Sequence, residues 1–157
     1  MNYKKIKTLA GIKKIIKTVK GREKIVFTNG CFDILHPGHV DYLSKAKALG
    51  DILIVGLNSD SSVRKLKGKC RPITPQNDRA RVLSALESVD FVVIFSEPTP
   101  IRLIKALRPD VLVKGGDWAV KDIVGADFVQ SRGGTVKSLP YLKGYSTKSI
   151  INKIKKS

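Results

Sequence analysis

Five short strand-like runs, at 25–28, 52–57, 91–95, 111–114 and 135–138, several of them nearly unbroken in apolar residues, alternate with stretches whose apolar residues recur at helical spacing. The helical stretches fall at 38–49, 75–88, 99–107, 121–131 and 146–155, with a shorter piece near 60–65. Runs this continuous suit strands whose two faces are both covered, and the alternating order predicts a parallel sheet with helices on either side. The expected fold is therefore α/β: one domain built on a doubly wound, Rossmann-like parallel sheet of about five strands with flanking helices. At 157 residues and 42% hydrophobic content the chain is long enough to bury a core of that kind.

In such a sheet ligands gather beyond the carboxyl ends of the strands, and polar residues cluster there. Thr28-Asn29-Gly30 follows the first run, Asn58-Ser59-Asp60 the second, and Lys114-Gly115-Gly116-Asp117 the fourth. All three groups fall on one edge of the expected sheet. The first leads into His36-Pro37-Gly38-His39, which holds both histidines of the chain. Asn29-Gly30 breaks the strand, Pro37 suits a first helical turn, and Val40, Tyr42, Leu43, Ala46 and Leu49 continue at helical spacing. Two imidazoles would then project from the start of a helix, where unpaired N–H groups and the positive end of the dipole favour phosphate. Asp33, three residues earlier, is placed either to cap this turn or to orient a substrate group. The helix start disfavours imidazolium and bound phosphate favours it, so the protonation state stays open.

The net charge is +17, from 30 basic and 13 acidic residues, and it is unevenly spread. Residues 1–24 hold nine Lys or Arg and one Glu; beyond Asp127 there are six more Lys, one Arg and no acid. A solvated basic surface accounts for this most simply, and attraction of polyanionic small substrates comes next. No basic stripe interleaved with aromatics and no zinc module points to nucleic acid. Residues 1–22 form an expected basic amphipathic helix ahead of a main domain at 23–157. It would pack on that domain or on a partner copy. Nothing approaches the roughly 20 apolar residues of a membrane span, so no membrane insertion is expected. Cys31 and Cys70 have no pairing or metal-ligand spacing, which fits a reducing cytosol and no protein-held metal.

The stretch Gly30-Cys31-Phe32-Asp33-Ile34-Leu35-His36-Pro37-Gly38-His39 resembles the GxFDxxHxGH signature of the cytidylyltransferase-like nucleotidyltransferases. Gly144-Tyr145-Ser146-Thr147-Lys148 resembles the superfamily's ST-containing helix start, with Lys148 in place of the usual second Thr. The resemblance covers roughly residues 24–155. Within it the chain is most similar to D-glycero-β-D-manno-heptose 1-phosphate adenylyltransferases, through Leu66-Lys67-Gly68, Arg71-Pro72-Ile73 and Val113-Lys114-Gly115-Gly116-Asp117 besides the strand ends above. Beginning at Met1 without a kinase domain, it resembles the stand-alone form.

The resemblance implies transfer of AMP from ATP to a sugar 1-phosphate, with Mg²⁺ accompanying ATP, in a cytoplasmic homodimer that binds no nucleic acid. It implies catalytic roles for His36, His39, Lys67 and Arg79, the last two closing over the phosphates. Nucleotide contacts are implied at Asn29, Gly30, Cys31, Phe32 and Gly38, at Lys114, Gly116 and Asp117, and at Tyr145, Ser146 and Thr147. Asp33, Asn58 and Asp60 are the implied substrate contacts. Glycines after strand four permit close backbone approach, and an acid there can accept from ribose hydroxyls. Trp118 fits either beside the nucleotide or in a core or lid. A glycerol 3-phosphate cytidylyltransferase or an FMN adenylyltransferase would keep the same chemistry with other substrates. The Arg that glycerol phosphate users usually carry before the ST start is here Lys143. A binding module without turnover is the rival from outside enzymes, and the intact histidines and ST start count against it.

Overall fold

A computed structural model describes residues 3–116 and 118–156. Its centre is a five-stranded sheet in the order β3-β2-β1-β4-β5, with every neighbouring pair parallel. The strands are β1 (Ile25–Gly30), β2 (Ile52–Asn58), β3 (Phe91–Phe95), β4 (Val111–Gly115) and β5 (Thr135–Leu139). The helices are α1 (Leu9–Val19), α2 (Pro37–Lys47), α3 (Asp60–Lys67), α4 (Gln76–Ser84), α5 (Ile101–Leu107), α6 (Ala126–Gln130) and α7 (Thr147–Ile154). The expected doubly wound sheet is what forms, and each strand starts where its strand-like run starts.

Successive residues of β1 point to opposite faces and build two cores. Ile25 and Phe27 join Ile12 of α1, Leu103 and Ile104 of α5, and Val129 of α6 on one side. Val26 joins Tyr42, Leu43 and Ala46 of α2 and Ala80 and Leu83 of α4 on the other. Phe27 has no exposed surface and its ring lies against Gly56, where a Cβ would stand 2.9 Å from it. Truncating Phe27 to Ala would cost about 3–5 kcal/mol, the usual range for a buried aromatic.

Two expected helices are broken, each for a local reason. The basic N-terminal segment is not continuous, and its first two residues lie outside the described ones. Tyr3–Lys5 form a short 3-10 turn, Ile6 bridges to Val92 on the edge strand, and α1 begins only after Thr8, whose side chain accepts from the Gly11 N–H. α1 then packs on the main core through Ile12, with Leu9, Ile16 and Val19 around it. The stretch at 121–131 is split into a 3-10 turn, Val120–Asp122, and α6. Gly125 separates them at φ 89°, and a Cβ there would stand 2.7 Å from the Ile104 side chain. Only glycine allows both the left-handed backbone and the close approach to α5.

Strand order places the site. The chain leaves β1 to one side for β2 and returns to its other side for β4, so the switch point lies between the ends of β1 and β4. α2 starts at that crevice, and a buried bond of 2.6 Å between the Thr28 and Tyr42 hydroxyls ties it to the end of β1.

Candidate active site

The turn between β1 and α2 is built around its rings. Phe32 takes a left-handed backbone at φ 44°, uncommon for an aromatic residue, and its ring lies back over Gly30. A Cβ on Gly30 would stand 2.8 Å from that ring. His36 occupies the N-cap position of α2 in extended backbone, Pro37 is the first helical residue, and no side chain caps the turn. The His36 carbonyl accepts from the His39 N–H at 2.9 Å, which brings the two imidazoles onto one face. Their centroids lie 3.8 Å apart with planes 19° from parallel. Phe32 meets His39 edge-on at 5.2 Å, and Tyr145 lies nearly parallel to His36 at 6.5 Å. Gly38 fits because a Cβ there would stand 3.1 Å from the His36 ring and 3.2 Å from Tyr145 Cβ.

Burial decides the charge question. It pushes His39 down to about 4, with the neighbouring His36 adding to the shift, and it also lowers His36. Both rings are therefore neutral near pH 7 in the protein alone. The Nδ1 atoms of His36 and His39 are buried and have no hydrogen-bond partner. Such an atom costs roughly 1–3 kcal/mol, and paired orphans at a crevice mark groups kept for a ligand.

Cations converge beside the rings, around Cys31. Burial raises the Cys31 thiol pKa, and the charges of Lys67, Arg79, Arg71 and Lys114 pull it back. Burial holds Lys114 below its ordinary value; Cys31 opposes the shift and the charge of Lys67 adds to it. Lys114 is the penultimate residue of β4 while Lys67 is the last residue of α3, so two distant segments bring like charge to one place. An anion between them would relieve that repulsion.

Arg79, expected to close over the phosphates, is placed beneath the loops instead. Its side chain is fully buried and its donors are committed to protein. Nε donates to the Thr74 carbonyl, one terminal nitrogen to the Cys31 and Asn58 carbonyls, and the other to Asp60 at 2.7 Å. Arg79 fastens the ends of β1 and β2 and the loop before α4 together. A guanidinium satisfies several carbonyls at once, which is why a buried arginine serves there. Asp33 and Asn58 are likewise turned inward. Asp33 accepts from Arg71 at 2.5 Å and from the backbone N–H groups of Ile73 and Thr74 at 2.9 Å. Burial raises its carboxyl, but those donors outweigh it and the net pKa is lowered. The Asn58 amide donates to Ser62 at 2.9 Å. Of the three expected substrate contacts, only Asp60 keeps an exposed edge, with 26% of its side chain accessible.

The crevice's other wall is the turn after β4. Gly116 has φ 108°, and a Cβ there would stand 2.9 Å from the Tyr141 ring and 3.3 Å from Trp118. The Ser138 hydroxyl donates to the Gly116 carbonyl and accepts from the Trp118 N–H, which fixes the turn. Asp117 lies outside the described residues. Trp118 and Tyr141 are 50% and 64% exposed, so neither belongs to the core. α7 approaches from above: Ser146 is its N-cap, accepts from the Ser149 N–H at 3.0 Å, and Thr147 is the first helical residue. Asn29 sits near the end of β1, level with Gly56 of β2.

The structure thus brings together His36, His39, Phe32, Gly38 and Tyr145, and, around Cys31, Lys67 and Lys114. Arg71 and Tyr141 were missed as site-building residues. A basic stretch at 65–71 signalled the first without saying that it clamps Asp33; nothing in the sequence tied Tyr141 to Gly115 and Gly116.

A family model described as cytidylyltransferase-like matches residues 27–152. The chain belongs to that family. As a cytidylyltransferase-like protein it is a nucleotidyltransferase, and its ring-lined crevice lies inside the matched region. It is 56% identical over 96% of its length to the "Bifunctional protein HldE" of Geobacter metallireducens, covering 31% of that protein. It is 60% identical over 93% of its length to the HldE of Wolinella succinogenes, covering 30%. The chain therefore spans about a third of the length of these curated relatives. A solved structure described as the lipopolysaccharide core biosynthesis protein from Thermoplasma volcanium is 33% identical, with a TM-score of 0.62, over 79% of this chain and 99% of that one. A pantoate-beta-alanine ligase from Francisella tularensis has a TM-score of 0.65 at 17% identity, over 97% of this chain and 78% of that one; it shares the fold.

Proposed function

We propose that this cytidylyltransferase-like protein transfers AMP from ATP to D-glycero-β-D-manno-heptose 1-phosphate, giving ADP-heptose and pyrophosphate. The stacked His36–His39 pair at the switch point carries the reading, because Tyr145 couples it to the start of α7. A phosphate oxygen of the sugar attacks the α-phosphorus of ATP in line. The bond from that phosphorus to the oxygen bridging the β-phosphorus breaks, and pyrophosphate leaves. The sugar phosphate is already anionic near neutral pH, so the protein mainly supplies alignment and charge. The neutral imidazoles and the open first turn of α2 act on the α- and β-phosphates, and the start of α7 on the outer ones. Lys67 and Lys114 meet the charge that builds on the leaving group. Trp118 and Tyr141, beside the turn at Gly116, provide surface for the base.

Among the described residues no group of three or more His, Cys, Asp or Glu side chains is placed to hold a metal. Mg²⁺ travelling with the ATP phosphates is part of the same proposal. Support for heptose comes from the motif resemblance, from the likeness to the HldE proteins, and from the lipopolysaccharide core biosynthesis protein. No helix among the described residues is long and apolar enough to cross a membrane. Cytoplasmic action as a homodimer completes the proposal, and light scattering after gel filtration checks the dimer.

The assay is release of pyrophosphate with each nucleotide and acceptor pair. Turnover with ATP and heptose 1-phosphate is expected. Release only with CTP and glycerol 3-phosphate, or only with ATP and FMN, would overturn the choice of substrates while keeping the chemistry.

A further inference from the structure

A cavity of about 710 Å³ lies at the opposite edge of the sheet from the histidines. It is bounded by the end of α1, the segment entering β1, the start of β2 and the end of α5. Some 20 Å of strand, at about 3.3 Å per residue, separates it from the crevice. Seven cationic and three acidic residues line it. Two of the acids are already committed to backbone: Asp51 accepts from the Lys24 N–H and Asp110 from the Ile25 N–H, both at 2.7 Å. Of the cations, Arg22 donates to the Thr18 carbonyl at the end of α1. Lys17, Lys20, Lys24, Lys105 and Arg108 remain exposed around a floor that includes Ile16, Ile25 and Leu107. A lysine in the last turn of α1 or α5 answers the helix dipole, but that accounts for Lys17 and Lys105 only.

A second, independent observation concerns Arg108. It closes α5 in the left-handed conformation, φ 50° and ψ 59°, with its N–H on the Ile104 carbonyl. That position normally takes glycine. Pro109 also follows, and a residue before proline is biased toward extended backbone. A strained arginine at the rim of a cationic cavity is therefore maintained at a conformational cost.

We propose that this cavity is a second anion site that takes a small molecule carrying a chain of phosphates. The volume lies in the range of small-ligand pockets. Compact ammonium groups around an apolar floor suit clustered phosphates with a less polar body. The proposal is independent of the reading of the histidine crevice.

The probe is inorganic tripolyphosphate, titrated at constant ionic strength while backbone amides are followed by NMR. Saturable shifts are expected at Gly21, Arg22, Ala106 and Arg108, separate from any at Gly38 and His39. Lys17→Gln combined with Lys105→Gln should weaken the cavity response at least tenfold and leave the crevice response and the turnover unchanged. Arg108→Gly should raise the melting temperature and weaken tripolyphosphate binding together. Shifts confined to the crevice, linear shifts without saturation, or cavity affinity unchanged in either variant would overturn the proposal. Running ATP beside tripolyphosphate separates the two sources of the same chemistry: tighter cavity binding of ATP assigns a nucleotide, and equal binding assigns the bare phosphate chain.

Discussion

Two helix N-termini face the crevice, and they are held in opposite ways. The start of α2 is backed by the core: Gly38 and Tyr42 are buried, and Phe32 packs against His39 from below. α7 has no buried residue at all. Its start is fixed locally, by the Ser146 cap and the Ser149 hydroxyl returned to the Ser146 carbonyl. A ring contact between His36 and Tyr145 joins the two ends. An element with few buried contacts opens cheaply. α2 is therefore the preorganised half of the site and α7 the half that substrate can draw in.

The sharpest test of this contrast is His39→Ala. It removes the more strongly buried imidazole from the rigid half, where donors are aligned before substrate arrives. A fall in kcat of roughly 10²-fold or more is expected, on the scale of losing one oxyanion-type donor. KM for ATP should change much less. Turnover within a factor of two of the parent would place the chemistry elsewhere.

pH acts on the same half. An unfolded histidine titrates near 6.5, whereas His39 is pushed down to about 4 in the fold and His36 is lowered too. The unfolded chain then binds more protons between those values, so stability rises with pH through that window. The stabilisation is complete above about 6.5 and is lost as pH falls toward 4, by at most about 1.4 kcal/mol per pH unit for each ring. Melting temperatures between pH 7 and pH 4.5 should show this slope, and His39→Gln should flatten it. The lowered Asp33 contributes only below this range, since its unfolded value is already 3.8. A parent curve as flat as the variant's would mean that burial does not hold the rings neutral.

Gly38→Ala probes how finely the rigid half is set. The new methyl would press on the His36 ring and on Tyr145 Cβ at 3.1–3.2 Å, so one of them must move by a few tenths of an ångström. Displacements far below 1 Å matter at a reacting centre, and a drop in kcat of about tenfold is expected with little loss of fold stability. Full activity in this variant would show that ring placement is looser than the stacking suggests.

How much of this could be read in the residues follows the same division. The alternation of strands and helices, the shared edge of the polar strand ends and the histidine turn were legible because each depends on local periodicity and turn chemistry. The arginines were not. A buried Arg79 and a surface arginine look alike in sequence, because what distinguishes them is which carbonyls the folded loops present. Arg71 reaches Asp33 across 38 positions, and no local pattern encodes that pairing. Gly125 can break a helix, but it stands inside a run with helical spacing, and its close approach to Ile104 exists only in three dimensions.

Ser146→Ala addresses the loosely packed half and should have the smallest effect. The hydroxyl caps α7 through the Ser149 N–H, and losing an N-cap costs typically about 1 kcal/mol. No core packing depends on α7, so the global melting temperature should barely change. The cost should appear when substrate orders the helix start, as a rise of about fivefold in KM for ATP with kcat within a factor of two or three. Ser146→Asp separates the cap from the phosphate contact. Asp caps as well as Ser, but it sets a negative charge where the outer phosphates are proposed to lie. If capping alone matters, Asp restores the parent KM. If the start of α7 meets phosphate, Asp is worse than Ala, and that ordering is the expected one.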